Sequence, residues 1–261
     1  QVLSLRDVTH ETEVDQMKTE FVSTAAHELR TPMTSIYGFA ELMMQRQLTH
    51  ERQKQMLATI HRQSQLMIAI INELLDLARI ESRRGSDFEL QTLDLGTLVA
   101  DLARDFKPPQ ERTAPTLAVP PGRWEVCVDR NKMAQAVGNV LSNAYKYSPA
   151  GGGVEMQLVR EPGPGARIGL EVRDHGIGMS AEQLERVCER FYRADASGTI
   201  PGTGLGMSIV KEIVELHGGR LAIASQPGDG TRVTLWLPAA HPQKPPTAAP
   251  AETEPELQVT S

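Results

Sequence analysis

Aromatic side chains supply only 4% of this chain of 261 residues, so aliphatics and ten methionines must fill its cores. Cysteine is nearly missing. Cys127 and Cys188 stand alone, without metal-ligand spacing, and read as reduced thiols rather than a disulfide framework or a metal site. No run of Lys and Arg marks a nucleic-acid surface, and the net charge is −6, so nucleic acid is set aside as a partner. No apolar stretch approaches the ~18–20 residues of a membrane span, and the first residues do not form a signal peptide. We therefore expect a soluble, cytoplasmic segment whose parent could be tethered upstream.

What is present divides into two grammars. From about Glu11 to Arg46, Val14, Met17, Phe21, Ala25 and Leu29 recur at steps of three and four, which predicts a helix. Thr49, His50 and Glu51 make a polar break. From Glu51 to Ser82, Met56, Ile60, Met67, Ile71, Leu74 and Ala78 form a second stripe. Two helices with a short link make a hairpin, and pairing with a second copy into a four-helix bundle would cover both stripes.

Residues 83–87 read as a linker. After it, helical candidates at 94–106, 130–146, 180–190 and 204–217 alternate with period-2 strands around Val154, Ile168, Leu221 and Val233. One-sided strands imply a sheet with one face under helices, an α/β sandwich. The expected fold class is thus α+β: a helical hairpin followed by a sandwich. Residues 239–261, rich in Pro, Ala, Glu and Thr, read as a disordered tail. Gln1 to Thr9 read as a short strand left from an upstream module.

On the first helix, advancing 100° per residue puts His27 about 160° from both Ala25 and Leu29, away from the core stripe. Thr31 sits nearly above it, and Glu28 is adjacent. Pro32 deprives the Glu28 carbonyl of its helical partner, which predicts a kink or loosening one turn after the histidine. A carboxylate bonded to one imidazole nitrogen fixes the tautomer and stabilises the imidazolium that forms when the other nitrogen attacks. A zinc-protease His-Glu-x-x-His reading fails because position 31 is threonine.

Asn139, Asn143, Lys146 and Tyr147 share an arc of about 100° on the helix after Asp129. Met133, Val137, Val140, Leu141 and Ala144 centre on the opposite side. Amide oxygens suit Mg²⁺, the ammonium suits phosphate, and the phenol ring suits a base. Asp174-His175-Gly176-Ile177-Gly178 follows a predicted strand, where a carboxylate can accept the exocyclic amine of adenine. Gly202-Thr203-Gly204-Leu205-Gly206 precedes an apolar helix whose first N–H groups suit phosphate. Neither its late position nor Pro201 fits a dinucleotide-binding Rossmann unit.

Phe21 to Pro32 resembles the phosphoacceptor box of the sensor histidine kinases of two-component systems. The later segments, with Phe191-Tyr192-Arg193 between them, resemble in order the N, G1, F and G2 boxes of that family, whose catalytic domain has the Bergerat ATP-binding fold. The resemblance implies a dimerisation and phosphotransfer hairpin over 11–84 and an ATP-binding domain over 85–238. It implies ATP and Mg²⁺ as cofactors, with Asn143 ligating the metal and Asn139 supporting. It implies that Asp174 reads adenine, that Gly176, Gly178, Gly202, Gly204, Leu205 and Gly206 serve the nucleotide, and that residues from about Arg190 to Gly204 form a lid. It further implies a homodimer, a response regulator as partner, and a role for Thr31 in dephosphorylating that regulator. Arg6-Asp7-Val8-Thr9 resembles the end of a PAS sensor module, assigned here to residues 1–10. A Bergerat ATPase acting as a clamp is the main alternative, and a non-catalytic dimerisation scaffold the other. The first leaves His27 and Glu28 without a task; the second leaves the pocket idle.

Overall fold

The computed structural model describes residues 9–83, 85–109, 111–149, 151–161, 167–195, 200 and 202–240; of these, the side chains of 9–20, 81 and 83 are not described. The strand expected over Gln1 to Thr9 falls outside the described residues except at Thr9, which is the first helical residue. All but Ala239 and Ala240 of the expected tail also lie outside them.

The hairpin is α1 (Thr9–Gln45) and α2 (His50–Arg83). Ala25 of the first stripe is buried, but on α2 the buried residues are Ile70, Leu77 and Ile80, whereas Ile71 and Ala78 of the expected stripe are exposed. Helix α1 runs through Pro32 without a break. Proline deletes one hydrogen bond, a cost of roughly 3 kcal/mol, which a helix of this length tolerates when the ring is itself buried, as Pro32 is.

Gly85 turns the chain out of α2 at a φ of +76°. Then follow β1 (Leu90–Asp94), α3 (Leu95–Asp105), β2 (Thr116–Ala118), β3 (Glu125–Asp129), α4 (Arg130–Lys146), β4 (Glu155–Arg160), β5 (Arg167–Arg173), α5 (Ala181–Arg186), α6 (Gly206–Leu216), β6 (Arg220–Gln226) and β7 (Gly230–Pro238). The main sheet runs β2-β4-β5-β7-β6. Among the described strands only the β2–β4 pair is parallel. β1 and β3 form a separate antiparallel ribbon. β1 and β2 carry little period-2 apolar signal, whereas β3 alternates with Val126 and Val128 buried; the sequence reading included none of the three.

Met156, Leu158, Leu170, Val172, Leu235 and Leu237 point from the sheet into one layer. Met133, Val137, Val140 and Leu141 of α4 and Ile209, Val210, Ile213 and Val214 of α6 meet them, all almost fully buried. At roughly 2 kcal/mol per buried aliphatic side chain, this layer fixes the two helices on one face of the sheet. The expected sandwich is therefore present, and the polar side of α4 is left facing a cleft. Ala239 still bridges to Val126, and the Ala240 N–H donates to the Glu125 carbonyl, so the sheet region runs slightly past residue 238.

Candidate functional site: a nucleotide-type pocket and a separate histidine cleft

Asp129 fixes where α4 begins. Its Oδ1 accepts the N–H groups of Asn131 and Lys132 at 2.8 and 3.0 Å, and its Oδ2 accepts that of Glu89 at 2.9 Å. From that start, 3.6-residue periodicity puts Asn139, Asn143, Lys146 and Tyr147 into one pocket. The Asn139 amide donates to the Gly206 carbonyl at 3.4 Å, tying α4 to the head of α6. The Asn143 amide makes no hydrogen bond among the described residues. Burial pushes the Tyr147 phenol above its ordinary value, with Arg193 opposing.

The second wall follows β5. Asp174 is 6% exposed. Its Oδ1 accepts the N–H groups of Gly176 and Thr231 at 2.9 and 3.2 Å, while Oδ2 accepts none among the described residues. Burial pushes this carboxyl up, against the pull of those backbone donors. A side chain at Gly176 would meet the Tyr147 carbonyl oxygen at 2.0 Å, and one at Gly178 would meet the Gln226 carbonyl oxygen at 1.8 Å. The Ile177 N–H donates to the same Tyr147 carbonyl at 3.0 Å, so the absent side chains let this wall seat against α4.

The third wall is the glycine loop. Gly202, Gly204 and Gly206 line the pocket. Gly204 has a φ of +75° and packs its backbone on Phe191. Among the described residues no side chain caps the start of α6, which leaves its first N–H groups without a side-chain acceptor. Leu205, in contrast, is fully buried in the core, and Gly176 supports the wall from behind rather than lining the cavity.

Of the expected lid, residues 196–199 and 201 lie outside the described residues. α5 is shorter than predicted, ending at Arg186 after a Ser180–Gln183 capping box. The Arg193 guanidinium donates to the Ile200 carbonyl at 2.6 Å and lines the pocket. Its Nε is buried with no hydrogen-bond partner among the described residues.

His27 lies elsewhere, on α1. Its side chain is 74% exposed, and Nδ1 stands 4.0 Å from Glu28 Oε1. That gap is about 1 Å too long for a hydrogen bond and closes by rotation of either exposed side chain. With Arg30, Thr31, Thr34 and Ser35, His27 lines an open cleft that shares no residue with the nucleotide-type pocket. The Thr31 hydroxyl donates to the His27 carbonyl at 3.3 Å.

Among the pocket residues that escaped the sequence reading is Glu73, from α2. Its carboxylate accepts the Thr203 hydroxyl of the glycine loop. Its signal was an acid at a stripe position, between Ile70, Leu77 and Ile80. Nearby, the Gln135 amide donates to Asp76 at 2.8 Å, and the rings of Phe21 and Phe191 meet at 5.7 Å. The hairpin thus docks on the sandwich through α1, α2, α4 and the glycine loop.

A divalent ion fits this site only in a particular way. Among the described residues there is no group of three His, Cys, Asp or Glu able to hold a metal. The free Asn143 amide offers one oxygen ligand, which suits a Mg²⁺ that keeps its waters and takes its remaining ligands from phosphates.

Residues 17–83 match the model of the His Kinase A (phospho-acceptor) domain. Residues 128–241 match that of the histidine kinase-, DNA gyrase B-, and HSP90-like ATPase. The Sensor histidine kinase WalK of Bacillus subtilis (strain 168) is 32% identical over 243 residues, which cover 91% of this chain and 39% of that protein. The Non-motile and phage-resistance protein of Caulobacter vibrioides is 34% identical over 234 residues, covering 87% and 28%. The chain therefore spans well under half the length of either relative. Among solved structures, full-length ShkA in complex with AMPPNP aligns with a TM-score of 0.58 at 26% identity, covering 86% of this chain and 47% of that one. Acinetobacter baumannii histidine kinase AdeS aligns at 0.61 and 21% identity, covering 82% and 98%, and speaks to the fold alone. The two domain models together span well over half of the residues, in the order in which the hairpin and the sandwich occur, and the chain belongs to the sensor histidine kinases of two-component systems.

Proposed function

We propose that this chain is the catalytic core of a protein-histidine kinase that transfers the γ-phosphoryl group of ATP to His27. One observation carries the reading. An exposed imidazole beside a carboxylate shares a chain with a pocket whose walls offer a free amide, an ammonium, a buried carboxylate and an uncapped helix start.

In this reading, Asp174 Oδ2 takes the adenine amine, and Tyr147 lies against the base. The α6 N–H groups, Gly202, Gly204 and Lys146 hold the phosphates, with Gly176, Gly178, Leu205 and Gly206 shaping the walls. Asn143, supported by Asn139, would hold Mg²⁺, which when bound offsets phosphate charge. The imidazole nitrogen away from Glu28 attacks the γ-phosphorus, and ADP leaves with the electrons of the broken P–O bond. Glu28 closes on Nδ1 and stabilises the imidazolium. Because cleft and pocket share no residue, the two domains must move relative to each other for transfer. The AMPPNP bound by ShkA supports the nucleotide assignment by kinship.

Residues 11–84 serve as the dimerisation and phosphotransfer hairpin, and 85–238 as the ATP-binding domain. Ile68, Ile71 and Leu75 on α2 are exposed at 59%, 43% and 51%, a stripe that a second copy would cover. The phosphoryl group passes on to an aspartate of a response regulator, and Thr31 serves the hydrolysis of that aspartyl phosphate to free phosphate. Residues 1–10 belong to the end of a PAS-like sensor. Among the described residues no helix is long and apolar enough to cross a membrane, and ATP and the regulator put the working compartment in the cytoplasm.

Incubation with γ-labelled ATP tests the proposal. Label retained on the protein supports a kinase; label found only as free phosphate supports the clamp ATPase instead.

A further inference from the structure

Glu73 belongs to the hairpin yet lines the nucleotide-type pocket beside Asn139, Asn143 and Lys146. It occupies a stripe position of α2 flanked by Ile70, Leu77 and Ile80, each nearly fully buried. An apolar residue there would extend the hairpin core, whereas a carboxylate does not. Its partner is across the domain boundary, 130 residues later: the Thr203 hydroxyl donates to Glu73 Oε2, while the same hydroxyl oxygen accepts the Leu205 N–H at 3.3 Å. The hydrogen bond thus reaches the start of α6, where the helix has no side-chain cap. Lys146 faces the same carboxylate. Burial pushes the Glu73 carboxyl up, with Thr203 and Lys146 opposing and Asp76 adding to the push.

That corner is where a nucleotide phosphate would meet the glycine loop. A carboxylate and a phosphate draw on the same donors and repel each other, and their repulsion grows as water is excluded. We propose that Glu73 is an anion supplied by the hairpin itself, which holds the catalytic domain docked while the pocket is empty and which nucleotide phosphates must displace. Loading the nucleotide and docking the hairpin are then antagonistic. Phosphate binding releases the glycine loop from α2 and frees the domain to move toward His27. The Asp76–Gln135 hydrogen bond, three residues along the same helix and outside the pocket, holds the docked state without touching the phosphate corner.

This inference rests on the nucleotide reading above, and one titration series separates the two. Full-length chains of the wild type, Glu73→Gln and Asp76→Asn are titrated by calorimetry with adenosine, ADP and Mg·AMPPNP. Glu73→Gln should bind Mg·AMPPNP about fivefold or more tighter, the size of one relieved like-charge contact at a partly wet site. The gain should shrink for ADP and vanish for adenosine, a phosphate dependence that a general loosening of the fold would not produce. Asp76→Asn should tighten binding by less. If Glu73→Gln binds Mg·AMPPNP equally well, the interlock is wrong. If it binds more weakly, Glu73 helps hold the metal and the inference is overturned in sign. Should Glu73→Gln not fold, an unchanged affinity in Asp76→Asn overturns it instead. A wild type that binds no nucleotide sinks the parent reading rather than this one.

Discussion

His217 Nε2 accepts the backbone N–H of Asp129 at 2.9 Å, joining the end of α6 to the first residue before α4. Its Nδ1 lies 2.7 Å from the Ile213 carbonyl, and its ring sits 4.9 Å from that of Phe88. The two helices that wall the pocket are thereby locked by one buried imidazole. Acceptance of that N–H requires a neutral Nε2.

This sets a pH dependence. Burial holds His217 below its ordinary value of 6.5, against the Ile213 carbonyl and Asp129. A depressed histidine contributes fully above the unfolded value and loses its contribution as the pH falls through 6.5, because the unfolded chain takes up a proton that the folded one refuses. His217→Gln keeps a polar group but cannot titrate. Urea unfolding at pH 7 and pH 5 should show the wild type losing more stability than the variant over that interval; equal losses would contradict this account.

Glycine positions separate by geometry. Gly178 has a φ of +64° and no room for a side chain, so Gly178→Ala should cost about 2 kcal/mol or more and abolish AMPPNP binding. Gly138, inside α4 with open space around it, is the contrasting case. Gly138→Ala should stabilise by roughly 0.5–1 kcal/mol. Thermal melts of both variants check the pair.

Asn143→Ala should weaken Mg·AMPPNP binding about tenfold, the worth of one hydrogen bond or ligand contact to a charged group. Adenosine binding, which needs no metal, should hold. Equal titrations of Mg·AMPPNP in the variant and the wild type would remove the metal role.

Ile71→Glu together with Leu75→Glu puts charge on the exposed stripe of α2 without entering the hairpin core. Sedimentation should report a dimer for the wild type and a monomer for the variant. A wild-type monomer would reassign that stripe.

The hairpin and the strands β4 to β7 were legible because their apolar periods are long and regular. β1 and β2 were not: Leu90, Gln91, Thr92 and Asp94 are all exposed, so no buried face writes a pattern into β1, and β2 is only three residues long. β3 does alternate, with Val126 and Val128 buried around an exposed Cys127, and its signal was overlooked. The α4 wall was legible because four polar side chains fall on one arc of a helix. Glu73 was invisible as a pocket residue because its partner lies on another domain, and helical periodicity says nothing about contacts 130 residues apart. Pro32 sits within α1, which stays helical through it despite the lost backbone hydrogen bond.

Acid and base stability of the protein-bound label in His27→Gln gives the most direct test. The wild type, incubated with γ-labelled ATP, should carry phosphorus that survives alkali and is lost in acid, while the variant should carry none yet titrate with Mg·AMPPNP as before. Label of the same lability persisting on the variant would contradict the assignment of His27 as the phosphoryl acceptor.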